Sequence, residues 1–209
     1  MSYNGQTNER IIAAPKKLIP IPRICKDESN TVAAACVEAI LSYYKCKIDK
    51  EAAEWKELTQ ATEKDGTGFA KIHMFLCRAR EADKSKEYLL GIQMNQYMTI
   101  CDLISAIDRG VPTICLIQAW YKGEDGTVDV KHDYREEKEW GHYVVAVGYD
   151  RDCIYFMDPC QSDTYSYIPI REFDARWHGD DMGERYVRTG LQVKLNLINC
   201  NASYLKKIM

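Results

Sequence analysis

The chain has no pair of cysteines spaced as Cys-x-x-Cys, no apolar run long enough to cross a bilayer, and no excess of positive charge. Each absence removes a class of function. Without a Cys-x-x-Cys pair, neither a zinc knuckle nor a dithiol redox motif is expected. A membrane span needs ~20 consecutive apolar residues, so none is expected here. The net charge of −3 and pI near 5.9 argue against a nucleic-acid partner, because phosphate binding needs a basic footprint. Histidines number only four. The spacing of His73, His132 and His178 shows no convergence on a metal, and no cofactor is expected. The amino end, Met1 to Arg10, is polar and has no signal-peptide core, which makes a cytoplasmic location the expectation.

What is present suits a folded domain. The 209 residues are 46% apolar, enough for one domain with a substantial core. Nine cysteines are scattered along the chain; Cys36, Cys101 and Cys115 lie in apolar surroundings and read as small core residues. Pro15 and Pro20 make residues 1–19 an irregular arm. Ser29-Asn30-Thr31 is a helix N-cap cluster. After it, apolar residues at 32, 33, 36, 37, 40, 41 and 44 predict a helix over Val32–Tyr44. Further helices are expected at 49–60, at 69–82 behind the turn Asp65–Gly68, and at 100–109, ended by Gly110 and Pro112.

Then the character changes. Thr113–Trp120 is strand-like, and residues 121–139 form a charged loop, either solvated or gating a site. Strands at 143–149 and 153–157, joined by Asp150-Arg151-Asp152, make a hairpin. Extended chain at 164–169, a short helix at 171–177 and a strand at 187–197 follow. Helices first and strands second predict an α+β fold, a helical lobe against an antiparallel sheet. The domain reading is an arm (1–19), one domain (20–198, helical part 20–110, sheet part 111–198) and a tail (199–209).

The chemistry concentrates in Trp140-Gly-His142-Tyr-Val-Val-Ala-Val-Gly-Tyr-Asp150 and Ile154-Tyr-Phe-Met-Asp158-Pro159. A hairpin lets His142 and Asp158 meet as a base and the carboxylate that orients it. A thiol at a helix amino end, its pKa lowered by the helix dipole, would complete a Cys-His-Asp hydrolase.

The segment Val32-Ala-Ala-Ala-Cys-Val-Glu-Ala-Ile-Leu-Ser-Tyr-Tyr-Lys45 resembles the nucleophile helix of the bacteriocin-processing (double-glycine leader) cysteine peptidases and their stand-alone papain-like relatives. There the pattern begins Cys-Gly-Ala-Ala and ends Tyr-Tyr-Gly. Gly141–Asp150, Ile154–Pro159, Tyr167–Pro169, Glu172-Phe173, Arg176-Trp-His178 and Arg185-Tyr186 are similar to the later half of the stand-alone members. The resemblance covers about residues 20–195. It implies a papain-like fold, with an N-terminal helical lobe packed on a C-terminal antiparallel β-sheet. It assigns the general base to His142 and the orienting carboxylate to Asp158. It places the nucleophile position on Val32, the glycine after it on Ala33, and the oxyanion-hole glutamine on Lys26. Valine cannot attack a carbonyl, so the resemblance implies the fold and removes the covalent catalysis.

Three readings follow. In the first, the chain is a pseudopeptidase that binds a peptide or protein segment in the former active-site cleft. In the second, it is an active cysteine peptidase or thiol hydrolase with a relocated cysteine working with His142 and Asp158. Cys25 beside Lys26 is the alternative nucleophile; Cys36, one turn along the helix, and Thr31 are weaker ones. In the third, it is a non-catalytic structural or assembly subunit.

Overall fold

The computed structural model describes residues 14–25, 32–46, 48, 50–51, 53–59, 67–82, 88–119, 132–138, 141–161, 163–181 and 183–197. The architecture is α+β. Helices α1 (Val32–Tyr43), α2 (Ala53–Thr59) and α3 (Phe69–Ala82) precede strand β2 (Tyr88–Asn95) and helix α4 (Ile100–Asp108). Strands β3 (Thr113–Gln118), β4 (Gly141–Tyr149), β5 (Cys153–Met157) and β6 (Ser166–Pro169) follow, then α5 (Ile170–Arg176). The hairpin β7 (His178–Asp181) and β8 (Glu184–Val187) and the long strand β9 (Gly190–Leu197) close the described chain. A two-residue strand β1 (Lys17–Leu18) lies at the start, in what the sequence reads as arm. The main sheet runs β2-β9-β3-β4-β5-β6, with β1 also on β4, and every pairing is antiparallel.

Two further strand regions were not expected from the sequence. β2 sits among helices, and its eight residues pair with β9 a hundred positions later. Local pattern cannot show such a partner. The β7–β8 hairpin falls where the sequence shows charge rather than alternation.

The helix ends show how residues set the boundaries. α4 opens with a capping box: Thr99 Oγ1 accepts from the Asp102 amide at 3.1 Å, and Asp102 Oδ2 accepts from the Thr99 amide at 2.8 Å. It closes at Gly110, with φ of 74°, where the Gly110 amide reaches Ile107 O and the Val111 amide reaches Ala106 O. That is a Schellman motif. α1 ends the same way, with Lys45 donating to Ser42 O and Cys46 to Leu41 O, but the left-handed residue is Lys45, at φ of 56°.

α1 packs on β4, and its alanines at 33, 34, 35 and 39 are buried. Tyr44 at its end donates to Val193 O of β9 at 2.7 Å, fastening the helix to the sheet. Cys36 and Cys115 lie in the core as expected, but Cys101 is exposed. It occupies the second residue of α4, on the face turned to solvent; Leu103, Ala106 and Ile107 form the buried face.

Candidate functional site

His142 and Asp158 meet because of one extra residue. β4 and β5 pair Tyr149 with Ile154 and Gly148 with Tyr155, then slip, and resume with Ala146 opposite Phe156 and Val145 opposite Met157. Val147 is the bulged residue. Opposed residues in an antiparallel pair share a face. Continued one step past Met157, the register puts Asp158 opposite Val144, on the same side as His142, and Cys160 lies in the turn that follows. Without the bulge, Asp158 would stand on the far side from His142.

The bulge is itself supported. Val147 O accepts from the Ile19 amide at 2.7 Å, and Gly148 lets β1 come so close that an added Cβ would lie 2.7 Å from Lys17 O. At the other end of the hairpin, Asp150 Oδ1 accepts from the amides of Asp152 (2.7 Å) and Cys153 (2.8 Å), and its Oδ2 from the Tyr155 hydroxyl (2.7 Å). This turn fixes the register from which the rest is counted.

At the site, His142 Nε2 and Asp158 Oδ1 are 2.9 Å apart, and their side chains are only 4% and 11% exposed. The same oxygen accepts from the Cys160 amide at 2.9 Å, and Asp158 O from the Gln161 amide at 2.9 Å. The carboxylate is therefore fixed by a turn of its own chain. Its bond to Nε2 selects the neutral tautomer protonated there, with the lone pair on Nδ1. This is how a carboxylate steadies an imidazole base.

A thiol that the sequence did not single out stands beside the pair. One donor atom each of His142, Asp158 and Cys160 lies within 4.8 Å of the other two. The Cys160 thiol is pushed up to about 11, first by burial, then by the Asp158 carboxylate, then by Cys25. The only sequence signal was its position two residues after Asp158.

The other expected site residues fall as follows. Val32 is the first residue of α1, 7% exposed, and stands outside the main apolar cluster that Ala33, Ala34 and Cys36 join. Lys26, Thr31 and Trp140 lie outside the described residues. Cys25 is exposed. Its segment is tied to the turn after Asp158: Arg23 Nη1 donates to Asp163 O, and the Tyr165 hydroxyl to Ile21 O at 2.7 Å. Cys36 is a core thiol whose Sγ donates to Tyr143 O at 3.5 Å. Burial and then the Asp158 charge hold it well above the ordinary range.

His132 pairs with Glu137 at 2.8 Å, and His73 lies 3.6 Å from Cys77 on α3. His178 Nε2 donates to Tyr134 O at 2.8 Å. Tyr134, buried under the Arg176 guanidinium at 3.8 Å, anchors the described end of the charged loop against α5. The sequence, reading that loop as solvated or gating, did not show this anchor.

A cleft of about 230 Å³ opens beside the pair. Ile117, Val144 and Phe156 form its apolar floor, and β6 and α5 its wall through Tyr167, Ile168, Glu172 and Arg176.

Comparison with known proteins agrees on the architecture. A putative C39-like peptidase from Bacillus anthracis is 15% identical, with 86% of this chain and 98% of that one aligned at a TM-score of 0.52. The peptidase domain of Streptococcus ComA, a bi-functional ABC transporter involved in a quorum-sensing pathway, is also 15% identical, with 86% and 96% aligned at 0.50. No curated protein sequence matches. Residues 18–181 match the model of the Peptidase_C39 like family. The chain belongs to the Peptidase_C39 like family and has its papain-like α+β fold.

Proposed function

We propose that this domain is a catalytically degenerate cysteine peptidase that binds a peptide segment in its cleft. The observation that carries the reading is the pairing of a built base–carboxylate dyad with valine as the first residue of α1. The dyad can hold or shift a proton, but the helix that would present the nucleophile presents a hydrocarbon. Peptide binding is supported by the cleft's apolar floor and by β6 as its wall. Among the described residues, β6 pairs on one side only, with β5. Its other edge suits strand addition, with main-chain bonds giving affinity and the cleft taking a side chain.

The second reading, an active thiol hydrolase, is favoured by the placement of Cys160 beside the dyad and by Cys25 on the segment strapped to the same turn. It ranks second because a thiol near 11 is almost wholly protonated at neutral pH.

The test incubates the protein with a tryptic peptide pool and reads both cleavage and retention by mass spectrometry. The expected result is a retained subset with no new cleavage products, and loss of retention in Tyr167→Glu, which puts charge on the half-exposed cleft wall. Products that vanish in His142→Ala would establish the second reading. Absence of any retained peptide would sink the first.

A further inference from the structure

We propose that His142, Asp158 and Cys160 form a binding site for a borderline-soft divalent metal ion of the zinc class. This departs from the sequence expectation of no metal, and it does not rest on peptide binding.

The donors are a nitrogen, a carboxylate oxygen and a sulfur, with one atom of each within 4.8 Å of the others. Zinc takes these ligands at about 2.0–2.3 Å in a tetrahedron, so its ligands sit roughly 3.5 Å apart. His142 Nε2 and Asp158 Oδ1, at 2.9 Å, part slightly to reach that spacing, and the Cys160 sulfur closes in from within 4.8 Å.

Two of the three donors have capacity to spare. Asp158 spends Oδ1 on His142 and on the Cys160 amide, while Oδ2 takes no hydrogen bond among the described residues. Cys160 Sγ likewise makes none. Nε2, 2.9 Å from Asp158 Oδ1, is the imidazole donor: on metal binding its proton moves to Nδ1, and the ion replaces the hydrogen bond between the two side chains. Three protein ligands leave a fourth position for water or an incoming group, and His142 and Asp158 both line the cleft. On binding, the Cys160 thiol loses its proton to solvent and the sulfur binds as thiolate, so zinc uptake releases one proton with no change of oxidation state. The cation offsets the negative charge that Asp158 and the thiolate would otherwise bring together.

The test uses metal alone on the full chain. Zn²⁺ is titrated against a chromophoric chelator, and Co²⁺ is added separately to read thiolate-to-cobalt charge transfer. The expected result is one equivalent bound, with a charge-transfer band. In Cys160→Ser, checked for folding by circular dichroism, the band is lost and affinity falls more than about 100-fold, beyond the loss from removing an outer-shell partner. His142→Ala weakens binding similarly, while Cys77→Ser, which removes the thiol–imidazole pair on α3, changes nothing. Substoichiometric binding, or a band that survives Cys160→Ser, would overturn the proposal.

Discussion

A valine at the amino end of α1 has no proton to give and no lone pair to attack with. The His142–Asp158 dyad is nevertheless in place, which makes Val32→Cys a direct test of what was lost. The helix dipole lowers the pKa of a thiol at that end, and His142 can take its proton. Iodoacetamide should label the new cysteine at pH 6 at least about tenfold faster than exposed Cys25, and His142→Ala should abolish the advantage. Equal rates would mean that the dyad does not face the helix end. Cys160 should behave oppositely. With its thiol near 11, labelling in the presence of a chelator should be slow at pH 7 and rise about tenfold per pH unit towards 11. Fast labelling at pH 7 would mean that Asp158 is neutralised by a proton on His142, and would favour a working thiol there. At this scale the sequence was half legible. His142 and Asp158 bracket a hairpin whose turn residues are plain to read. Cys160 was hidden because it sits in the turn after β5, whose geometry no local pattern shows.

Elements carry these side chains only as accurately as their boundaries are set. Val147 bulges out of the β4–β5 ladder, and β1 braces it through the bond from Ile19. An alanine at 148 would drive a methyl against the Lys17 carbonyl and the Leu18 side chain, and a backbone oxygen cannot move aside by changing rotamer. Gly148→Ala should therefore cost about 1–3 kcal/mol in urea unfolding. It should also disturb the His142 ring resonances in NMR spectra, because the register that aligns His142 with Asp158 starts at the bulge. Loss of stability with an unchanged His142 spectrum would separate the brace from the site.

The end of α1 offers a gain instead. Lys45 holds a left-handed conformation that costs an L-residue about 1–2 kcal/mol, while glycine adds about 0.5–1 kcal/mol of chain entropy on folding. Lys45→Gly should thus stabilise the protein by about 0.5–1 kcal/mol, a rise in urea midpoint. Gly110, which ends α4 in the same motif, was readable as a stop signal; Lys45 was not, because nothing in a lysine announces a positive φ.

For the whole molecule, the fold class came from the order of patterns, helical period first and alternation after. What failed to show was long-range closure: β2 enters the sheet only because β9 returns to it, and Tyr134 pins the charged loop only because α5 brings Arg176 over its ring. The packed whole has one consequence that no single element shows. Burial raises the thiols of both Cys36 and Cys115 well above their ordinary value. Below pH ~8.5 both are protonated whether the chain is folded or not, and they do not affect stability. Above it, the unfolded chain gives up these protons while the folded chain keeps them, so stability is lost as pH rises. With Cys160, whose thiol stands near 11 and whose share solvent screening reduces, three such groups give a slope of up to about 4 kcal/mol per pH unit, which over two units consumes much of the roughly 5–15 kcal/mol of a typical domain. Urea midpoints measured in reductant should hold level from pH 7 to 8 and fall steeply from pH 9 to 10.5. Cys115→Ala should cost some stability at pH 7 but remove about a third of the alkaline slope. A slope unchanged in that variant would place the titrating groups elsewhere, and a flat profile would mean that the core opens to hydroxide without unfolding.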